Sequence, residues 1–167
     1  MDDKTLNELV NTVTQTVINN TLAQKECYVK GYITLETARL LAAKVEEEAK
    51  RLGVNAVVAI SNAAARPVLV ECMDDSYIAS YDIALNKAYT SVALKMPTST
   101  LKTLSQPEKD LYGIQFTNQG QIVIFGGGVP LVSKSGIIGG LGVSGGSEAQ
   151  DTYLADYGRK VFEEELS

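Results

Sequence analysis

The sequence predicts an α+β domain, an antiparallel sheet with helices packed on its faces. Three features predict it. Amphipathic helical segments alternate with an apolar β-hairpin pattern at residues 56–73. Most of the chain's 14 glycines crowd into Gln121–Gly146, where they punctuate three apolar runs. No internal repeat or low-complexity linker divides the 167 residues, so one domain is expected over 1–167. Helices separated by hairpins favour an antiparallel sheet over a parallel one.

Residues 5–24 carry Leu6, Leu9, Val10, Val13, Val17, Ile18 and Leu22 at helical spacing, with Thr and Asn opposite. This reads as a helical extension over 1–30, held by packing more than by propensity. Residues 25–33 are short and β-leaning. Thr34 reads as an N-cap for a helix over Leu35–Leu52, with Ala38, Leu41, Ala42, Val45, Ala49 and Leu52 inward. Glu46 to Glu48, Lys50 and Arg51 form its solvated face, and Gly53 is the C′ stop.

Ala56–Ile60 and Pro67–Met73 read as the two arms of a hairpin with a five-residue loop. Asp74, Asp75 and Ser76 supply caps for a helix over Tyr77–Leu94, with Ile78, Ala79, Ile83, Ala84, Ala88 and Val92 inward. Pro97 ends it. Ser105-Gln106-Pro107-Glu108 is a second helix-start signal, predicting a short helix that ends near Tyr112–Gly113. Ile122–Phe125, Val129–Val132 and Gly136–Val143 are predicted strands. Ser147–Gln150 is a capping box into a last helix, with Ala149, Tyr153, Leu154, Tyr157 and Val161 buried.

Composition narrows the function. Hydrophobic residues make up 45% and charged residues 21%, as in ordinary globular proteins. A net charge of -5 argues against nucleic acid as a partner. No apolar run reaches a membrane span, and Met1–Lys4 do not open a signal peptide, so a cytoplasmic location is expected. Cys27 and Cys72 make neither a disulfide framework nor a zinc set. The chain has no histidine. That excludes Ser-His-Asp and Cys-His catalysis, His-based zinc sites and the usual proximal haem ligand. Gly140–Gly145 matches G-x-G-x-x-G, but its first glycines fall inside a strand pattern, and no second strand follows. A dinucleotide loop is therefore not expected.

Gly126-Gly127-Gly128-Val129-Pro130-Leu131, Gly136–Gly146 (GIIGGLGVSGG) and Asp151 resemble the GlcG-like, haem-binding or haem-degrading family, which includes the C-terminal domain of PduO. Ser80–Thr90 (SYDIALNKAYT) and Pro97-Thr98 extend the resemblance, in register over residues 33–160. The resemblance implies a profilin-like three-layer α/β/α fold, with a five-stranded antiparallel sheet and helices on both faces. It also implies a homo-oligomer, with haem at or near a subunit interface in some members. The implied setting is diol, glycerol or glycolate catabolism.

Without histidine, an axial ligand would come from Cys72 or Met73, Tyr77 or Tyr81, or the Ser144 hydroxyl; thiolate, thioether and phenolate are all iron ligands. Core packing is the commoner reading of Cys72 and Met73, and layer-edge packing the commoner reading of the tyrosines. Lys87 is placed either to hold a propionate, phosphate or carboxylate, or to snorkel at the surface. Gly145 and Gly146 open the last helix, either as an anion cradle or as a plain turn. Asp151 reads as a first-turn helix carboxylate, and Asp74 with Asp75 as a weak cation site at most.

The expected pocket is lined by residues between Met73 and Lys87 and by Gly127, Gly128, Val129 and Pro130. The expected function is non-catalytic binding of a small anionic or tetrapyrrole ligand, of haem or corrinoid type, and no catalytic residue is assigned. The alternatives are a structural subunit of a homo-oligomer, or a weak enzyme on small oxygenated metabolites, using Lys87 and a carboxylate.

Overall fold

The computed structural model describes residues 31–167, together with Thr14, Tyr28 and Val29. The helix expected over residues 5–24 and Cys27 lie outside those residues. The described elements are β1 (Tyr28–Val29), β2 (Tyr32–Ile33), α1 (Leu35–Arg51), β3 (Val57–Asn62), β4 (Pro67–Cys72), α2 (Ser80–Ala93), α3 (Thr98–Leu104), β5 (Gly128–Ser133), β6 (Gly136–Ser144) and α4 (Glu148–Val161).

The main sheet is antiparallel throughout, in the order β4-β3-β6-β5. It has four strands among the described residues, where the family resemblance implied five; β1 and β2 pair only with each other. Ile122–Phe125, predicted as a strand, joins no ladder. Its Val123 N–H is donated instead to the Thr90 hydroxyl at 3.0 Å, so a side chain on α2 takes the bond that a neighbouring strand would have taken.

Strand alternation divides the core in two. Val58, Ile60, Leu131, Leu141 and Val143 face α1 and α4, meeting Leu41, Val45, Leu154 and Phe162. Each fully buried Leu or Ile there contributes roughly 1.5–3 kcal/mol. Val57 and Ala59 point to the other face and meet Ala84 and Ala88 of α2. Helices therefore cover both sides of the sheet.

Local chemistry explains the element ends. The Thr34 hydroxyl accepts the Thr37 N–H at 3.1 Å, and Gly53 takes φ +67 after α1. Ser147 and Gln150 complete the predicted capping box. Two predicted starts differ. Residues 73–80 form successive hydrogen-bonded turns, Ser76 N–H to Met73 and Ser80 N–H to Tyr77, so α2 begins at Ser80 and not at Tyr77. No side chain among the described residues caps it, and Ile78, predicted inward, is 95% exposed. The Ser105 hydroxyl turns back onto the Lys102 carbonyl of α3, and Glu108 takes φ +67. The expected helix after Ser105 is thus replaced by turns.

On α4 the buried stripe is Asp151, Leu154, Ala155, Gly158 and Val161. Ala149 and Tyr153, predicted inward, are exposed. No described helix is long and apolar enough to cross a membrane.

Candidate functional site

The site is organised by Lys87, in the middle of α2. Its side chain is 0% exposed, neither on the surface nor free for an anion. The ammonium donates to the Val143 carbonyl at 2.7 Å and to Asp151 Oδ2 at 2.7 Å. It also lies 5.0 Å from the centre of the Phe125 ring, a cation–π contact. Asp151 Oδ1 accepts the Gly146 N–H at 2.9 Å. One buried ion pair therefore ties together α2, the end of β6, the first turn of α4 and the segment before β5.

Burial pushes the Lys87 ammonium below the usual lysine range, and the Asp151 carboxylate pulls against that shift. Gly127 makes the arrangement possible. It takes φ +111, and a Cβ there would lie 2.6 Å from Lys87 Nζ and 2.9 Å from Asp151 Cβ. No side chain fits between the pair and the main chain.

A second carboxylate stands nearby. Glu148 accepts the Gly126 N–H at 3.0 Å and pairs with Lys102 at 2.6 Å. The Lys102 hydrogen bond, then the Gly126 amide, lower its pKa below the ordinary 4.5.

These groups border a cavity of about 310 Å³. Ile83, Ala79, Phe125 and Tyr77 form its apolar side; Ser80, Ser144, Glu148, Asp151 and the Gly145–Gly146 main chain form its polar side. A neighbouring cavity of about 420 Å³ lies towards Asn55, Asp75 and Gln150 and shares Tyr77, Gly145 and Gly146 as walls.

Of the residues singled out from the sequence, the structure brings Tyr77, Ser144, Gly145 and Gly146 to the smaller cavity. Lys87 contacts two of that cavity's lining residues, Asp151 and Phe125. Gly127, Gly128, Val129 and Pro130 are buried and line neither cavity. Val129 packs in the α1/α4 core, and Pro130 lies opposite Gly140 in the sheet. Tyr81 is exposed on the first turn of α2. Cys72 is exposed at the end of the edge strand β4. The Met73 sulfur accepts the Ala56 N–H at 3.3 Å, and its side chain packs against the α1/α4 core. Among the described residues, no group of three or more His, Cys, Asp or Glu side chains is placed to hold a metal ion.

Sequence reasoning passed over Phe125, Ser80, Ile83, Glu148 and Asp151 as cavity groups. For Asp151 a signal was present. It shares the helical stripe of Leu154, Ala155 and Gly158, so a carboxylate in the buried row of α4 needs a buried partner.

The family model for the haem-degrading protein HbpS-like family matches residues 33–160. An uncharacterised 15.0 kDa protein from the dhaT-dhaS intergenic region of Citrobacter freundii is 42% identical over 132 residues, 79% of this chain and 93% of that protein. The corrinoid adenosyltransferase PduO of Salmonella typhimurium is 41% identical over 109 residues, 65% of this chain; the match spans only 32% of that protein's length. A crystal structure of a PduOC–haem complex superimposes with a TM-score of 0.74 at 36% identity, covering 77% of this chain and 94% of that one. The chain belongs to the HbpS-like haem-degrading protein family.

Proposed function

We propose that the chain is a cytoplasmic, non-catalytic binding protein for a tetrapyrrole, haem or corrinoid, in the catabolism of small metabolites such as diols or glycerol. The observation that carries this reading is the largely apolar cavity beside Tyr77, whose rim stays open. Tyr77 is 72% exposed, and Ile78 next to it more so. Ligand pockets run from about 300 to 1,000 Å³, so this one lies at the small end. A flat macrocycle would enter it by one edge and lie across the rim, with a second copy of the chain covering it. A homo-oligomer thus belongs to the same proposal, as does the profilin-like arrangement, which the helices on both sheet faces support.

Of the candidate donors, Tyr77 and Ser144 line this cavity, and the phenol is the better fit to the group. Tyr77 presents a phenol at the cavity wall, and phenolate is an axial haem ligand in other proteins. Met73 packs with its sulfur against Ala56 and away from this cavity. The bound group would bring a redox-active metal and a strong visible absorption, with no reaction assigned to the chain. The chain's part is to hold it, with Ile83 and Phe125 against its apolar edge.

Haem titrated into micromolar protein should give a shifted Soret band. At a hundred-fold excess over Kd, unfolding should cost about 2.7 kcal/mol more. Tyr77→Phe should weaken the binding at least tenfold and move the band. An unshifted spectrum together with an unchanged melting temperature counts against the reading.

A further inference from the structure

We infer that the polar end of the 310 Å³ cavity takes a short, neutral, hydroxylated molecule, a diol or polyol, and rejects small carboxylates. The inference rests on the reading of this cavity as a ligand site and names the ligand class for its inner end.

The first observation is a hydroxyl pair. Ser80 and Ser144 are 3% and 4% exposed, line the cavity and lie 3.1 Å apart, oxygen to oxygen. Two hydroxyls bring two O–H donors, and the bond between them uses one. Neither hydroxyl donates to any other group among the described residues. Ser144 donates to Ser80, so the buried Ser80 O–H, on a cavity-lining residue, has no acceptor among the described residues. A buried donor in that state costs about 1–3 kcal/mol, which a ligand oxygen would relieve.

The second observation is Asp151. One of its oxygens accepts from Lys87 and the other from Gly146, so each keeps a further lone pair, and the carboxylate also lines the cavity. A ligand that accepts from the serine pair and donates to Asp151 needs hydroxyl groups, which do both.

Charge accounting excludes acids. The two carboxylates on the walls are each neutralised by their own lysine, Asp151 by Lys87 and Glu148 by Lys102. Among the described residues, no lining residue of the cavity is a lysine or arginine. An entering carboxylate would meet two carboxylates and no uncommitted cation, whereas a neutral diol loses nothing on that account. Ile83 and Phe125 face the alkyl end of such a molecule.

The test is ligand-observed NMR on the full chain without haem, with propane-1,2-diol and glycerol as probes and glycolate and lactate as their charged counterparts. The diols should bind saturably and the acids should bind at least tenfold more weakly. Ser80→Ala combined with Ser144→Ala should weaken diol binding at least tenfold while the melting temperature stays close to the parent's. If that variant does not fold, Ile83→Trp, which fills the cavity from its apolar wall, should abolish diol binding. Glycolate binding as well as the diols, or diol binding that survives the serine or tryptophan variant, overturns the inference. A chain that binds haem yet ignores diols loses this inference alone; failure in both titrations removes the cavity reading as well.

Discussion

At the scale of single residues, Lys87 and Asp151 set the site. Both are almost wholly out of water and within 2.7 Å of each other. A buried pair of this kind is weak support for stability as a whole, because desolvation offsets much of the attraction. Losing one partner is another matter, since the other charge stays buried without compensation. Lys87→Met should therefore cost about 3–5 kcal/mol in urea denaturation. The combined Lys87→Met and Asp151→Leu variant should recover most of that loss. A single-variant cost under about 1 kcal/mol would mean that the pair holds nothing. The sequence announced Lys87 only as a cation in mid-helix, because spacing says where a side chain points and not whom it meets. Its partner lies 64 residues further along.

At the scale of elements, the decisive contact is α2 against β6. Their approach depends on Gly140 and Gly142. A Cβ on Gly142 would run into the Ala84 carbonyl oxygen and the Ala88 amide nitrogen, both backbone atoms that cannot turn aside. Gly142→Ala should cost about 3 kcal/mol, the upper part of the overpacking range, read as a lowered urea midpoint with an unchanged m-value. The glycine density of Gln121–Gly146 thus marks close approach of protein to protein at β6. Most elements could be read in advance because their signals are local. Thr34, Gly53, the hairpin of β3 and β4, and the Ser147–Gln150 box each act within a few residues. The misread ones answer to competing partners, one distant and one close by. Ile122–Phe125 has strand composition, yet its Val123 amide is taken by Thr90. Ser105 has cap chemistry, yet its hydroxyl bonds backwards to Lys102. The cavity was legible only in part for the same reason. Tyr77 and the Gly145–Gly146 corner sit at element ends, where sequence punctuation shows; Asp151 shows only through its place in the buried stripe of α4, and Phe125 is brought in by tertiary packing.

At the scale of the whole molecule, the two sheet faces differ in what they leave uncovered. Towards α1 and α4 the core closes over large side chains such as Leu41, Leu154 and Phe162. Towards α2 the packing is close, built on alanines and glycines, and the start of that helix leaves Tyr77, Ile78 and Tyr81 in solvent, with Tyr77 lining the same cavity as Phe125. Exposed aromatic side chains are enriched at the centre of protein interfaces, and a stable interface needs about 800 Å² from each partner. If a second copy covers this rim, a charge placed at its centre should separate the copies without harming the fold. Ile78 suits the test because, at 95% exposure, it contributes almost nothing to the isolated chain. A surface substitution of this kind changes intrinsic stability by only about 0.5 kcal/mol. Ile78→Asp should therefore lower the mass measured by light scattering while leaving far-UV circular dichroism as in the parent. It should also weaken haem binding, since a macrocycle lying across the rim would lose its cover. A parent chain that is already monomeric, or a variant of unaltered mass, would place the interface elsewhere, and the cavity would then have to hold its ligand from one side.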